Sequence, residues 1–277
     1  MTRSSSKLFM NSKSLLEVNR LPAVLRLARV RTKAMIRNRG RKRLISGAKL
    51  FPSLSIIIPA HNEERYIRRT LESINSQRYP DFETVVVANG CSDKTVDMAR
   101  GYCNTLVVLS TKSLGVSRNL GAKLAHGDVL IFLDADTELS PRALRIIASR
   151  FTDADAAATV KGKPDISYWP YRLMYFIKNF EHRWKVHAGT CGVLICWRED
   201  FLRVGGFDEA LNICENSELI RRLKQFGNYR FISQTAAVTS MRRYAKKGMW
   251  RSTWLWLKWW FQSKFGDLRH KTYETVR

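Results

Sequence analysis

The sequence predicts an α/β fold with a mainly parallel sheet flanked by helices, and three observations carry that prediction. Short apolar runs at residues 55–59, 84–88, 106–109 and 129–133 alternate with segments of helical periodicity, the pattern of parallel strands joined by right-handed helical crossovers. The run at 129–133, Val-Leu-Ile-Phe-Leu, is continuously apolar, as a strand covered on both faces must be. It leads directly into Asp134-Ala135-Asp136, which puts two carboxylates at the carboxyl end of a strand, where open α/β sheets bind ligands.

The elements follow in order. Residues 55–59 read as the first buried strand, and 64–77 as a helix with Asn62 as its N-cap. A second strand covers 84–88, and a second helix covers 93–103, capped at Ser92. Residues 106–109 form a third strand, 116–125 a helix ended by Gly127, and 129–133 the fourth strand. The second half is less regular. It holds a strand at 156–160, an aromatic-rich helix at 168–184, a buried strand at 192–197 and a helix at 217–226 closed by Gly227. No internal repeat is visible.

The charge is extreme in sum and local in placement. The 277 residues carry a formal +24. Residues 1–50 hold 14 Lys/Arg against the single acid Glu17, and residues 241–277 hold 10 against Asp267 and Glu274. The 190 residues between them carry only +3. Three parts are therefore expected: a basic extension (1–50), a nearly neutral folded domain (51–240) and a basic, Trp-rich segment (241–277). Cationic ends on a neutral core suit an anionic membrane surface, whereas a nucleic-acid binder should carry its basic residues across a folded face, so nucleic acid is disfavoured as a partner. Residues 1–50 read either as an amphipathic surface helix or as a disordered segment, and their Arg- and Ser-rich, acid-poor composition also fits organelle targeting.

The five cysteines (Cys91, Cys103, Cys191, Cys196 and Cys214) are odd in number and form no Cys-x-x-Cys pair, which favours reduced thiols and a cytoplasmic setting over a zinc site or a disulfide framework. No stretch approaches the ~20 apolar residues of a membrane span. Peripheral rather than integral membrane association is expected.

Alternation along an extended chain would place Asp134 and Asp136 on one side. Two hard oxygen ligands suit a divalent metal, Mg²⁺ or Mn²⁺, that also holds phosphate oxygens.

Several landmarks together resemble glycosyltransferase family 2, over roughly residues 53–265. Ile57-Ile58-Pro59-Ala60-His61-Asn62-Glu63-Glu64 resembles the family's opening strand-to-loop motif, and Ala88-Asn89-Gly90-Cys91-Ser92-Asp93 stands where it commonly has Asp-Asp-Gly-Ser-x-Asp. Gly115-Val116-Ser117-Arg118-Asn119-x-Gly121 and Asp134-Ala135-Asp136 match two further segments, the latter the family's metal-binding motif. Residues 205–209 and 215–218 resemble its acceptor-side landmarks, and Thr239-Ser240-Met241-Arg242-Arg243 resembles a C-terminal segment of some members.

The resemblance implies a GT-A-type nucleotide-diphospho-sugar transferase fold and an inverting, hexosyltransferase-like enzyme. It implies transfer of a sugar from a UDP- or GDP-sugar to a hydroxyl acceptor, lipid-linked or belonging to a cell-envelope glycan. Pro59, Ala60, Asn62 and Glu63 would hold the nucleoside, with Asn89 in place of the usual acid. Asn accepts through its carbonyl but also donates, so the identity of the base stays open. Arg118 offers a planar fork to a phosphate or to a neighbouring carboxylate, beside Asn119. Arg242 and Arg243 either close over the pyrophosphate or form a solvated basic loop. Asp136, with Asp134, would hold the metal, and His187 is a further candidate for its shell.

The family's catalytic base is the Asp of a Glu-Asp pair. This chain has Glu215-Asn216, and an amide takes no proton at neutral pH. Glu215 is the favoured base, with Glu218 and Asp208 as alternatives.

Residues 249–265 contain Trp250, Trp254, Trp256, Trp259 and Trp260 interleaved with Arg251, Lys258 and Lys264. That composition fits either a membrane-interface segment or a helix packed on the domain. A nucleotidyltransferase would share this α/β layout, but residues 59–64 lack the Gly-rich, basic loop it needs after the first strand.

Overall fold

The computed structural model describes residues 14–18, 51–184, 189–249, 251–252, 254 and 258. Its strands are β1 (Ser14–Val18), β2 (Leu54–Ala60), β3 (Phe82–Asn89), β4 (Thr105–Leu109), β5 (Val129–Leu133), β6 (Thr137–Leu139), β7 (Asp155–Pro164), β8 (Val193–Trp197) and β9 (Asn228–Thr239). They form one sheet in the order β1-β4-β3-β2-β5-β8-β7-β9-β6. The ladders from β1 through β5 are parallel. Antiparallel β8 joins the two halves by pairing with β5 on one side and β7 on the other. β7 and β9 then run parallel, with β6 antiparallel at the edge. The first half thus matches the alternation read from the sequence, and the second is mixed. β1 corrects one expectation for residues 1–50, since Ser14–Val18 pair with β4 as an edge strand. The rest of that segment lies outside the described residues.

Both faces of the sheet are covered, which is why its central strands are mostly apolar. Every residue of β2 and β5 is buried. On one face Ile56, Ile58, Ile131 and Leu133 pack on α1 (Ile67–Asn75), α2 (Thr95–Ala99) and α4 (Ala143–Arg150). On the other, Ile57, Leu130 and Phe132 meet α3 (Leu114–Leu124), α6 (Arg198–Arg203) and α7 (Glu215–Leu223). Each fully buried Ile or Leu contributes about 1.5–3 kcal/mol of transfer free energy, so this two-sided cover fixes the register of β2 and β5.

Three glycines act through close approach, two of them where the sequence predicts helix ends. A Cβ on Gly121 would lie 2.4 Å from Ile57 Cγ2, so α3 seats against β2 only because residue 121 has no side chain. Gly127 was expected to end that helix. The helix stops at Leu124, and Gly127 instead passes over Ser55, whose backbone nitrogen a Cβ would meet at 2.7 Å. Gly227 likewise packs on the Ala154 carbonyl, and α7 ends at Leu223.

The predicted caps are also reassigned. Asn62 has φ +52° and accepts the Ser92 N–H at 2.8 Å through its side chain, while α1 begins only at Ile67. α2 begins at Thr95, whose N–H is held by Asp93 Oδ1 at 3.0 Å. Loop side chains that could cap a helix here lace two loops together.

Packing also continues past residue 240. Met241 and Tyr244, at α8 (Arg242–Lys247), are buried with Tyr171 and Tyr175 of α5 (Trp169–Arg183) and with Cys191. Most of the Trp-rich stretch at 249–265, like His187, lies outside the described residues.

Candidate active site

The parallel strands β2, β3 and β5 end on one edge, and the loops leaving them meet there. The loop after β2 is tied to the loop after β3 by several bonds. Glu63 N–H donates to Thr95 Oγ1 at 2.6 Å, Glu64 N–H donates to Asp93 at 3.2 Å, and Lys94 N–H donates to Glu64 at 3.1 Å. His61 Nδ1 donates to the Asn89 carbonyl at 2.7 Å, and Asn89 Nδ2 donates to the Ala60 carbonyl at 3.1 Å. A carboxylate at 89 could not make that last bond. Asn89 therefore fits this chain's own loop geometry. Pro59 and Ala60 are buried at the end of β2 and shape the floor of this loop pair.

Asp134 and Asp136 stand at the end of β5, but not on an extended chain. The Thr137 N–H bonds back to the Asp134 carbonyl at 3.1 Å, so residues 134–137 form a tight turn. The expected alternation fails there, and each carboxylate meets a different arginine.

Arg118 is the centre of the first cluster. α3 delivers it into the interior, where its side chain is only 4% exposed. It donates to Asp134 Oδ1 at 3.2 Å, Glu215 Oε1 at 2.9 Å and Asn216 Oδ1 at 3.3 Å, with its guanidinium 5.0 Å from the centre of the Phe207 ring. Cys214, at φ +59°, turns the chain into α7 and places Glu215 in its first turn. Asn216 is bound on its other side by donating to Thr190 Oγ1 at 3.0 Å. Asn119 uses its amide on the loop 205–209: it accepts from Phe207 N–H at 2.8 Å and donates to the Phe207 carbonyl and to Glu209. Its place in the site is to hold that loop.

Arg242 is the centre of the second. It bridges Glu63 Oε1 at 2.5 Å and Asp136 Oδ2 at 3.1 Å, with its guanidinium 4.5 Å from the centre of the Tyr66 ring. Burial lowers the guanidinium's affinity for its proton, but the Glu63 bond and the two carboxylate charges outweigh that and raise its pKa. Glu63 Oε2 is buried without a hydrogen-bond partner.

Burial pushes Asp136 up to about 6, Arg242 and Arg243 pull it back, and Asp134 and Glu63 push it up again. Among the described residues no three His, Cys, Asp or Glu side chains form a metal cluster. A Mg²⁺ site needs only one or two carboxylates when substrate phosphates supply the other oxygens, so the hard-oxygen donors Asp134 and Asp136 fit such an ion.

The expected site residues therefore gather into one place. Pro59, Ala60, Asn62, Glu63 and Asn89 form one end, Asp134, Asp136, Arg242 and Arg243 the middle, and Arg118, Asn119 and Glu215 the other. Phe207, from the landmark at 205–209, joins them, and Tyr66 and Thr190 complete the site without a signal of their own in the sequence. Aromatic rings under arginines are visible only once the chain is folded.

Residues 55–205 match the family model described as glycosyl transferase family 2. A protein of Bacillus subtilis (strain 168) named "Probable glycosyltransferase YdaM" is 25% identical over 234 residues, covering 76% of this chain and 56% of that protein. A mannosyltransferase from Pyrobaculum calidifontis, solved in complex with GDP-Man and Mn²⁺, superposes with a TM-score of 0.57 at 20% identity, covering 68% of this chain and 56% of that one. TarS of S. aureus in complex with UDP-GlcNAc gives 0.53 at 22% identity, covering 69% and 59%. The chain spans little more than half the length of these three proteins.

Proposed function

The chain belongs to glycosyltransferase family 2, and on that premise we propose that it moves a sugar from a nucleotide-sugar donor to a hydroxyl acceptor. The observation that carries this reading is the pair of arginine-centred clusters, which gathers Glu63, Asp134, Asp136 and Glu215 at the carboxyl edge of β2, β3 and β5.

The loops after β2 and β3 hold the nucleoside, with Glu63 and Asn89 Oδ1 as acceptors for its hydroxyl or N–H donors. As the sugar–phosphate bond breaks, charge builds on the leaving diphosphate, and Arg242 with Arg243 stands nearby to stabilise it. A Mg²⁺ or Mn²⁺ held by Asp134 and Asp136 would supply Lewis-acid stabilisation of that same group. On the acceptor side, Glu215 removes the hydroxyl proton as the oxygen attacks the anomeric carbon, in a single inverting displacement. Glu215 shares its arginine with Asp134, whereas the rival acids are engaged away from that cluster. Glu218 is clamped by Arg222 at 2.8 and 2.6 Å, and that arginine is itself bound to the Val204 and Gly206 carbonyls. Asp208 accepts the Ala210 N–H within its own loop.

The cationic ends support work at an anionic membrane face on a lipid-linked or cell-envelope acceptor. No described helix is long and apolar enough to cross a membrane.

A thermal-shift panel of UDP- and GDP-sugars, with and without Mn²⁺, tests the reading. A ligand at 100 times its dissociation constant stabilises by about 2.7 kcal/mol. One nucleotide class should raise the melting temperature, and more so with Mn²⁺. A panel in which no nucleotide sugar shifts the melt overturns it.

A further inference from the structure

Helix α5 has two apolar faces. One is ordinary: Tyr171, Tyr175 and His182 recur at i, i+4 and i+11 and are buried against the domain. The opposite face carries Trp169, Leu173, Phe176, Ile177, Phe180 and Trp184, at i, i+4, i+7, i+8, i+11 and i+15, all exposed. Trp169 is 69% exposed, Phe176 68% and Trp184 65%. Six large apolar side chains in one stripe on the solvent side of a helix are not the scatter normal for a soluble surface.

The charges beside the stripe say what fits it. A groove of about 600 Å³ runs along its flank between α5 and the end of β7, and Lys161, Lys163, Arg172 and Arg183 line it with Phe176 and Phe180. Among the described residues no ion pair involves any of those four cations. An apolar stripe with terminal tryptophans and a cationic flank matches the layering of an anionic leaflet, with acyl chains below and phosphates above. At 15 residues the helix would reach only about 22 Å, short of the ~30 Å hydrocarbon core, so it lies in the surface rather than crossing it.

We propose that the exposed stripe of α5 and its flanking cationic groove form a docking surface for an anionic phospholipid leaflet. This deepens the membrane-face part of the reading above, and it assigns the contact to the folded domain rather than to the chain's ends. The buried face of α5 touches α8 through Lys178 Nζ and Tyr244 Oη at 3.1 Å, two residues beyond Arg242. Docking would therefore seat the carboxylate site one helix away from the lipid surface.

Co-sedimentation of the full chain with phosphatidylcholine/phosphatidylglycerol vesicles tests this without donor or acceptor, so transfer activity does not enter. High salt screens the cationic ends and leaves the apolar part of binding. At about 0.5 M NaCl the parent should still partition onto vesicles. A Trp169→Ser, Phe176→Ser, Phe180→Ser, Trp184→Ser variant should lose at least about tenfold in partition coefficient while its melting temperature is kept. Arg172→Gln with Arg183→Gln should weaken low-salt binding and reduce the preference for phosphatidylglycerol over neutral lipid. A stripe variant that partitions like the parent at high salt overturns the proposal. So does one that melts well below the parent, since the chain itself would then cover the face. Loss of a concentration-dependent dimer in the variant would assign the stripe to a second copy, and also overturns it.

Discussion

Arg118 donates to Glu215 at 2.9 Å across 97 residues of sequence, and the same guanidinium reaches Asp134 at 3.2 Å. One buried arginine thus ties the candidate base to the candidate metal carboxylate and fixes the distance between the acceptor and donor sides.

The first prediction follows from that tie. Glu215→Gln keeps an oxygen that can accept from Arg118, so the fold and donor affinity should change little. Turnover should fall by at least ~10²-fold, the usual contribution of a general base. Near-parental turnover in Glu215→Gln, together with a dead Glu218→Gln or Asp208→Asn, would move the base elsewhere and leave the reaction class standing.

The second concerns the turn at the end of β5. Asp136→Asn should abolish turnover and the Mn²⁺-dependent part of donor binding, with the cooperative melt retained. Calorimetry of donor binding with and without Mn²⁺ reads this directly. Full activity of the parent in EDTA, or an active Asp136→Asn enzyme, contradicts it.

The third tests the other arginine. Removing Arg242 leaves Glu63, already carrying an unpartnered buried oxygen, and Asp136 without their shared counter-charge. Stranding one partner of a buried pair costs on the order of 3 kcal/mol. Arg242→Met should therefore melt lower and bind donor more weakly. Adding Glu63→Gln should recover part of the stability but not the donor affinity. Strictly additive effects on stability would show that the two residues do not interact.

The residues of these clusters differ in how visibly the sequence marks them. β2 and β5 are legible because burial on both faces forces a continuous apolar run, and β5 matches the reading residue for residue at Val129–Leu133. β9 is not, because its 12 residues mix Asn, Arg, Ser, Gln and Thr with apolar positions and its pairing with β7 shifts register twice. Helix α4 buries Ala143, Leu144, Ile147 and Ala148 behind Ser140 and Pro141, a helical pattern outside the strand–helix alternation that ends at β5. The individual site residues stand in motifs, so they could be named in advance. Their pairing could not: Arg242 meets Glu63 across 179 residues, and only the return of β9 beside β6 brings them together. The reading of Asp134 and Asp136 assumed an extended chain, and there the backbone turns instead.

The last prediction is about acid stability. Glu83, at the start of β3, accepts from Ser55 Oγ at 2.6 Å and from the His126 backbone N–H at 2.5 Å, and so holds the approach of Gly127 into β5. Burial raises the carboxyl pKa, but the His126 N–H, the Ser55 hydroxyl and the His126 ring outweigh it, and the net shift is below the ordinary 4.5. A carboxyl whose folded pKa is depressed adds stability above its unfolded pKa and loses it as pH falls through the folded value. The contribution of Glu83 should therefore be complete at pH 7 and should drain away below 4.5. Glu83→Gln has no proton to gain. The gap in melting temperature between parent and variant should be widest at neutral pH and close as the pH falls below that window. A gap that stays constant across the titration would mean that Glu83 acts through shape alone, and that its charge does nothing for the strand that carries the site.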